Sequence, residues 1–135
     1  MDMKWKDCKC GNPDLGLLVA RLVLAAVFIA HGWAKFQDME GTVNYFNSLN
    51  LPAVLAYLVA LGELFGGVSM LLGFATHWAG KVLAVIMVGA ILIAKPTMGL
   101  IGGYELDLSL LALVFAIVMI GPGKYTLRSI IKRDR

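Results

Sequence analysis

The chain has 135 residues, of which 59% are hydrophobic and only 16% are charged, and its mean hydropathy is +0.78. This composition excludes a disordered chain, a disulfide-stapled secreted module and a typical soluble enzyme domain, because so short a chain could not hide that much apolar surface without a bilayer. The formal net charge of +3 is too small for a nucleic-acid binder, so the sequence predicts an all-α integral membrane protein in contact with lipid.

The first segment, residues 1–14, is predicted to be a cytoplasmic tail that contains the Cys-Lys-Cys motif of Cys8 and Cys10. Two cysteines are too few for a disulfide framework, and these two are too close for an ordinary disulfide. A closed structural metal site needs four ligands, which this segment does not supply, so no metal site is predicted. Redox chemistry, lipidation and a simple solvated tail are the alternatives for the motif.

Four apolar stretches are long enough to cross a bilayer, which takes about 20 residues of helix. Turn signals follow several of them, including Lys95–Pro96 and the Gly-Pro-Gly sequence at 121–123. A cleaved signal peptide is the alternative for the first stretch, and Arg21 inside that stretch argues against it. We therefore expect an antiparallel four-helix bundle over residues 15–123, with spans at about 15–34, 53–74, 77–94 and 104–121.

The positive charges indicate the orientation of these spans. With both termini in the cytoplasm, nine lysines and arginines lie on the inner side, and only Lys35 and Lys95 lie on the outer side. The positive-inside rule then predicts a multi-pass protein of the cell membrane with cytoplasmic N- and C-termini. Residues 124–135 form the basic cytoplasmic tail of this topology.

The first outer loop carries a second helical signal. Met39, Val43, Phe46 and Leu49 recur at spacings of four, three and three residues, which is the period of an amphipathic helix. We expect a short helix that lies on the outer interface or covers the bundle.

Glu63 is the most informative polar residue, because it falls near the middle of the second span, where an ionisable group must face the bundle. Gly62, Gly66 and Gly67 lie beside it, and Gly62 with Gly66 forms a small-xxx-small face for close helix packing. Two interpretations of Glu63 are open. It either locks two helices together, or it is a proton-accepting or ligand-binding carboxylate.

Further polar residues suggest a site around Glu63. Arg21 lies on a bundle-facing stripe of the first span, and its long side chain makes it the candidate electrostatic partner of Glu63. His31 and Lys35 end the first span at the outer side, where Glu105 also arrives. Together with Glu63 these residues form a predicted polar mouth. The alternative for His31 is a satisfied interfacial histidine, and the alternative for Glu105 is a carboxylate favoured at a helix N-terminus. The alternative for Arg21 is a structural ion pair or a side chain that snorkels to the inner interface.

Residues 17–127 resemble the DoxX family of small four-helix membrane proteins. The resemblance rests on Arg21, the HGWAKF stretch at 31–36, the glycine-flanked Glu63, Tyr104–Leu106 and the Gly-Pro-Gly turn with Lys124 and Tyr125. It implies a bundle in the cytoplasmic membrane and, for some members, quinone-linked sulfur oxidation or a membrane oxidoreductase complex. By resemblance, the positions carried over as site residues are Arg21, Lys35, Glu63 and Glu105.

Three functions are compatible with the sequence. The first is an oxidoreductase subunit that binds a quinone among its helices and receives electrons from a soluble or membrane-bound partner. The second is a membrane anchor or assembly factor without catalytic activity. The third is a small transporter that uses Glu63 as its proton or ion site. The sequence leaves open the reaction, any cofactor beyond a quinone, and whether the chain forms a homo-oligomer.

Overall fold

A computed structural model describes residues 11–133, so the Cys8 and Cys10 motif and the last two residues of the tail lie outside the described part. Helices and short turns make up this part, and it contains no strand. The six α-helices are α1 (Pro13–Gln37), α2 (Met39–Ser48), α3 (Ala53–Leu72), α4 (Thr76–Gly89), α5 (Glu105–Ile120) and α6 (Leu127–Arg133). A π-helical turn at Ala90–Ala94 extends α4, and a kinked segment at Leu100–Tyr104, in which Ile101 and Gly102 have non-helical backbone angles, precedes α5.

Four of the helical segments are long and apolar enough to cross a membrane, and they confirm the predicted fold class. They are Pro13–Gln37, Ala53–Leu72, Thr76–Ala94 and Leu100–Ile120. The first packs on the second, the second on the third and the third on the fourth, and α5 returns to α1. Neighbouring spans run antiparallel, as the contact of Arg21 near the start of α1 with Met70 near the end of α3 shows, and the result is an up-and-down four-helix bundle.

The ends of the first two spans follow local sequence signals. The Asn12 side chain caps α1 by accepting hydrogen bonds from the backbone N–H groups of Asp14 and Leu15, and Pro13 occupies the first turn. At the same end of the bundle, α3 stops at Gly73, which has a left-handed φ of 66°. Glycine adopts this conformation without the steric cost that a Cβ would add.

The short helix in the first outer loop is α2, as the amphipathic pattern predicts. Its apolar stripe of Met39, Val43 and Phe46 is half-buried, whereas Asn44 and Asn47 on the other side are exposed. The helix packs mainly on α3 and lies across one end of the bundle. This end, the α2 side, is the outer side in the predicted topology.

Glycines determine how closely the spans approach one another. A Cβ on Gly32 of α1 would lie 2.8 Å from the backbone nitrogen of Leu64, and a Cβ on Gly67 of α3 would lie 2.9 Å from that of Ile29. Helices α1 and α3 therefore meet backbone to backbone. Gly66 lies instead against the Leu83 side chain of α4, about 100° further round α3.

Apolar side chains fill the bundle and also cover its outside. The buried core includes Leu24, Phe28, Met70, Leu83 and Val114. Large apolar side chains remain exposed along every span, and this surface faces the acyl chains of a bilayer. Because the bundle is helical and carries apolar side chains on its outer surface, the chain is a membrane protein.

Candidate functional site

A cavity of about 500 Å³ lies between the four spans, in the half of the bundle next to α2. We call it the α2-side cavity. Its walls come from all four spans, and α2 with the following loop lines its upper end. Its apolar lining includes Val27, Phe28, Phe46, Leu49, Leu55, Val59, Ile86, Met87 and Leu110. The polar side chains in this lining are few, which makes their arrangement informative.

The first polar group in the cavity wall is an ion pair between α1 and α3. Lys35 Nζ donates a hydrogen bond to Glu63 Oε2 at 2.6 Å, and the Glu63 side chain is only 5% exposed. Glu63 lies about 15 Å along α3 from Ala53, close to the middle of this helix. Lys35 reaches it because the aliphatic part of a lysine can follow an apolar wall while the ammonium group finds a polar partner.

The second polar group is an ion pair between the loop after the third span and α5. Lys95 Nζ donates to Asp107 Oδ2 at 2.6 Å and to the backbone carbonyl of Gly103 at 3.3 Å. Asp107 lies in the first turn of α5, where the helix dipole favours a carboxylate. Both residues line the α2-side cavity, so two ammonium–carboxylate pairs share one apolar chamber.

The predicted polar mouth forms only in part. His31, Lys35 and Glu63 all line the cavity, although His31 is itself exposed. Glu105 is exposed and does not line it, so the structure corrects the grouping of Glu105 with these residues. Successive residues on a helix turn by about 100°, so Glu105 and Asp107 point in nearly opposite directions and only Asp107 faces the cavity.

Arg21 is buried at the opposite end of the bundle, and its predicted pairing with Glu63 is wrong. Its guanidinium donates to the backbone carbonyls of Met70 at 2.9 Å and Leu71 at 3.2 Å, at the end of α3. It also donates to the carbonyls of Pro122 at 2.9 Å and Tyr125 at 2.7 Å, in the turn after α5. The helix C-terminus and this turn supply acceptors for a buried cation, so Arg21 ties α1, α3 and the α5–α6 turn together.

The three glycines beside Glu63 face two different neighbours. Gly62 and Gly66 lie against α4, where a Cβ would come within 2.9 Å of Ile86 Cδ1 and 2.7 Å of Leu83 Cδ2, respectively. Gly67 lies against α1. The glycines therefore let the neighbouring helices approach α3 closely beside Glu63.

The chemistry of the cavity is hydrogen bonding and proton exchange in apolar surroundings. Each ammonium can donate to a ligand oxygen, and each carboxylate can accept a proton or a hydrogen bond. Within residues 11–133, no three His, Cys, Asp or Glu side chains lie close enough together to hold a metal ion. No buried polar side-chain atom in this part of the chain lacks a hydrogen-bond partner.

Comparison with known proteins gives consistent matches. A family model described as DoxX matches residues 16–96, a range that contains Lys35, Glu63 and Lys95. A Bacillus subtilis (strain 168) protein named "Putative oxidoreductase CatD" is 40% identical over 98 residues, which are 73% of each chain. Two Escherichia coli (strain K12) proteins also match. "Inner membrane protein YqjF" is 39% identical over 47% of this chain and 49% of its own, and "Inner membrane protein YphA" is 31% identical over 56% and 54%. No solved structure is significantly similar to the chain.

Proposed function

Since the chain belongs to the DoxX family, we propose that it binds a quinone between its helices and serves as the membrane subunit of a quinone-linked oxidoreductase system. The α2-side cavity is the observation that carries this proposal. Its volume of about 500 Å³ suits a ligand of quinone size, and its lining combines apolar walls with a few polar groups. Such a lining favours a flat, apolar ring that carries hydrogen-bonding oxygens.

The two ion pairs supply the polar contacts that a quinone needs. Lys35 or Lys95 donates a hydrogen bond to a quinone oxygen while each keeps its carboxylate partner. Reduction of a quinone to a quinol takes up two electrons and two protons. In this proposal a partner oxidoreductase delivers both electrons. The pair of Lys35 and Glu63 passes one proton to the nearer quinone oxygen, the pair of Lys95 and Asp107 passes the second proton to the other oxygen, and water reprotonates both pairs.

The names of the relatives support the oxidoreductase link and the membrane location. One relative is named as an oxidoreductase, and two are named as inner membrane proteins. We place this chain in the cytoplasmic membrane with both termini inside, as the distribution of lysine and arginine predicts. In that orientation the α2-side cavity lies in the outer half of the bilayer.

A membrane anchor or assembly factor is the second candidate, and one observation favours it. Every buried polar side-chain atom in the described residues already has a partner inside the protein. In this alternative the two ion pairs only fix the helices, and the cavity holds lipid.

Binding of a short-tailed benzoquinone to the purified protein distinguishes the two functions. The Glu63→Gln variant keeps the shape of the side chain and removes its charge, and the exposed Glu105→Gln is the matched control on α5. If the proposal is correct, the parent and Glu105→Gln bind equally, and folded Glu63→Gln loses at least about tenfold in affinity. An unchanged affinity in folded Glu63→Gln would show that Glu63 does not belong to the site. If the parent binds no quinone, the function as a membrane anchor or assembly factor is favoured.

A further inference from the structure

The α2-side cavity has a thin wall between α3 and α4. Three apolar residues of this wall, Val59, Val85 and Ile86, line the cavity on one side. The same three residues line a second depression on the lipid-facing surface of the bundle. Val85 is 72% exposed and lines both depressions, so it belongs to the part of this wall that faces lipid.

The second depression is a groove of about 400 Å³ that runs along α3 and α4. We call it the α3–α4 groove. Besides the three shared residues it is lined by Leu58, Trp78, Lys81 and Val82. From Ile86 to Trp78 it follows α4 for about 12 Å, away from α2. Lys81 is its one charged residue, and the Lys81 ammonium lies 4.6 Å from the centre of the Trp78 ring.

Gly62 explains why the wall is thin. A Cβ at this position would lie 2.9 Å from Ile86 Cδ1 and 3.3 Å from Val82 Cγ1. Because Gly62 has no side chain, Ile86 lies directly on the backbone of α3, and only apolar side chains separate the cavity from the groove. Such side chains change rotamer on a fast timescale and can open a path.

The α2 end of the cavity is covered mainly by apolar side chains. Phe46, Leu49 and Leu51, from α2 and the loop that follows it, form an apolar cover there. A ligand that partitions into lipid therefore meets its easiest path at the side of the bundle and not at this cover.

We propose that the ligand of the α2-side cavity enters from the bilayer between α3 and α4 and leaves an apolar tail in the α3–α4 groove. This inference rests on the proposed quinone-binding function and adds the ligand class, a quinone with a long alkyl or isoprenoid tail. The continuity of the two depressions through Val59, Val85 and Ile86 is what supports it. A phospholipid held by its phosphate at Lys81 is the competing occupant of the groove. Its binding would not require a connection between the groove and the cavity.

Bulky substitutions at residues that line only the α3–α4 groove obstruct the groove and leave the lining of the cavity unchanged. Val82 and Leu58 line only the groove and are exposed, so Val82→Trp and Leu58→Trp give two independent obstructions. Val88 is an exposed valine of α4 that lines neither depression, so Val88→Trp is the matched control. Lys81→Gln tests the competing occupant. Each variant is reconstituted in lipid discs and titrated with two benzoquinones that share one ring, with and without a decyl tail.

The two quinones separate the possible outcomes. Val82→Trp and Leu58→Trp are expected to weaken binding of the tailed quinone by at least about tenfold and to leave the tailless quinone within about twofold. Val88→Trp and Lys81→Gln are expected to change neither affinity. An unchanged affinity for the tailed quinone in both obstructed variants, or loss of the tailed quinone in Lys81→Gln, would overturn the lateral path. Failure of the parent to bind either quinone would instead reject the proposed function.

Discussion

Lys35 and Glu63 are 28 positions apart in the chain, and their side chains meet at 2.6 Å because each points along its own helix toward the other. In an α-helix the Cα–Cβ bonds tilt toward the N-terminus. Helix α1 runs toward the α2 side and α3 runs away from it, so Lys35 tilts into the bundle and Glu63 tilts up to meet it. The same rule turns Arg21 away from Glu63, toward the start of α1.

The ion pair predicts a specific pattern of stability. Lys35→Met alone leaves the Glu63 carboxylate buried without a partner and is expected to cost about 3 kcal/mol of unfolding free energy, at the low end of the range for buried pairs because Lys35 is partly exposed. The double variant with Glu63→Gln is expected to recover much of this loss. Unfolding in mixed micelles measures both. Strictly additive losses would show that the two side chains do not interact.

Arg21 is expected to stabilise the fold without contributing to ligand binding. Arg21→Lys keeps the charge but cannot reach four separate carbonyls with one ammonium group, so we expect a loss of about 3 kcal/mol in unfolding free energy. Arg128→Lys, on the exposed surface of α6, is the control and should be neutral. Quinone affinity of the folded Arg21→Lys protein should match that of the parent. A stable variant that has lost quinone binding would place Arg21 in the site after all.

The fold could be predicted from the sequence because hydropathy and helical period are local properties. The bundle is predicted from four apolar stretches. The helix that covers it is predicted from the apolar stripe of Met39, Val43 and Phe46. The partner of Glu63 could not be predicted from depth alone, since the direction of each side chain along its helix decides it. Helix polarity combined with the predicted topology would have indicated Lys35 as the partner.

The second ion pair was missed for a different physical reason. Lys95 and Asp107 are joined by a loop in which Gly102 has a φ of 74°, and this turn decides which face of α5 meets the cavity. Neither apolar period nor charge spacing contains that information. Two carboxylates in one helical turn, Glu105 and Asp107, are equivalent in the sequence until the loop conformation is known.

The choice between these carboxylates is itself testable. Asp107→Asn removes the charge that holds Lys95 over the cavity, and we expect the loop at 95–104 to exchange its amide hydrogens faster. Glu105→Gln should leave the exchange of this loop unchanged, because Glu105 is exposed and lies outside the cavity. Hydrogen exchange followed by mass spectrometry measures both variants in detergent. Equal protection of the loop in Asp107→Asn and the parent would contradict the role of this pair.

Two neighbouring glycines of α3 are expected to respond differently to one added methyl group. A Cβ at Gly67 would meet the Ile29 backbone, which cannot move away alone, so Gly67→Ala should cost about 2 kcal/mol or more. A Cβ at Gly66 would meet only side-chain atoms of Leu83, so Gly66→Ala should cost less, about 1 kcal/mol. Gly16→Ala is the control, since nothing lies within 4 Å of its Cβ position. Similar unfolding free energies for Gly66→Ala and Gly67→Ala would contradict a backbone-to-backbone crossing of α1 and α3.

The orientation in the membrane gives the last prediction. In a background with Cys8→Ser and Cys10→Ser, single cysteines are introduced at Asn47 and Gly99 on the α2 side, and at Lys124 at the other end of the bundle. All three positions accept a reactive thiol, because Asn47 and Lys124 are exposed and nothing lies within 4 Å of a Cβ at Gly99. The positive-inside rule predicts that a membrane-impermeant maleimide labels Asn47→Cys and Gly99→Cys in intact cells and labels Lys124→Cys only after lysis. Labelling of Lys124→Cys alone in intact cells would reverse the orientation and move the α2-side cavity to the cytoplasmic half of the bilayer, where a quinone would exchange protons with the cytoplasm.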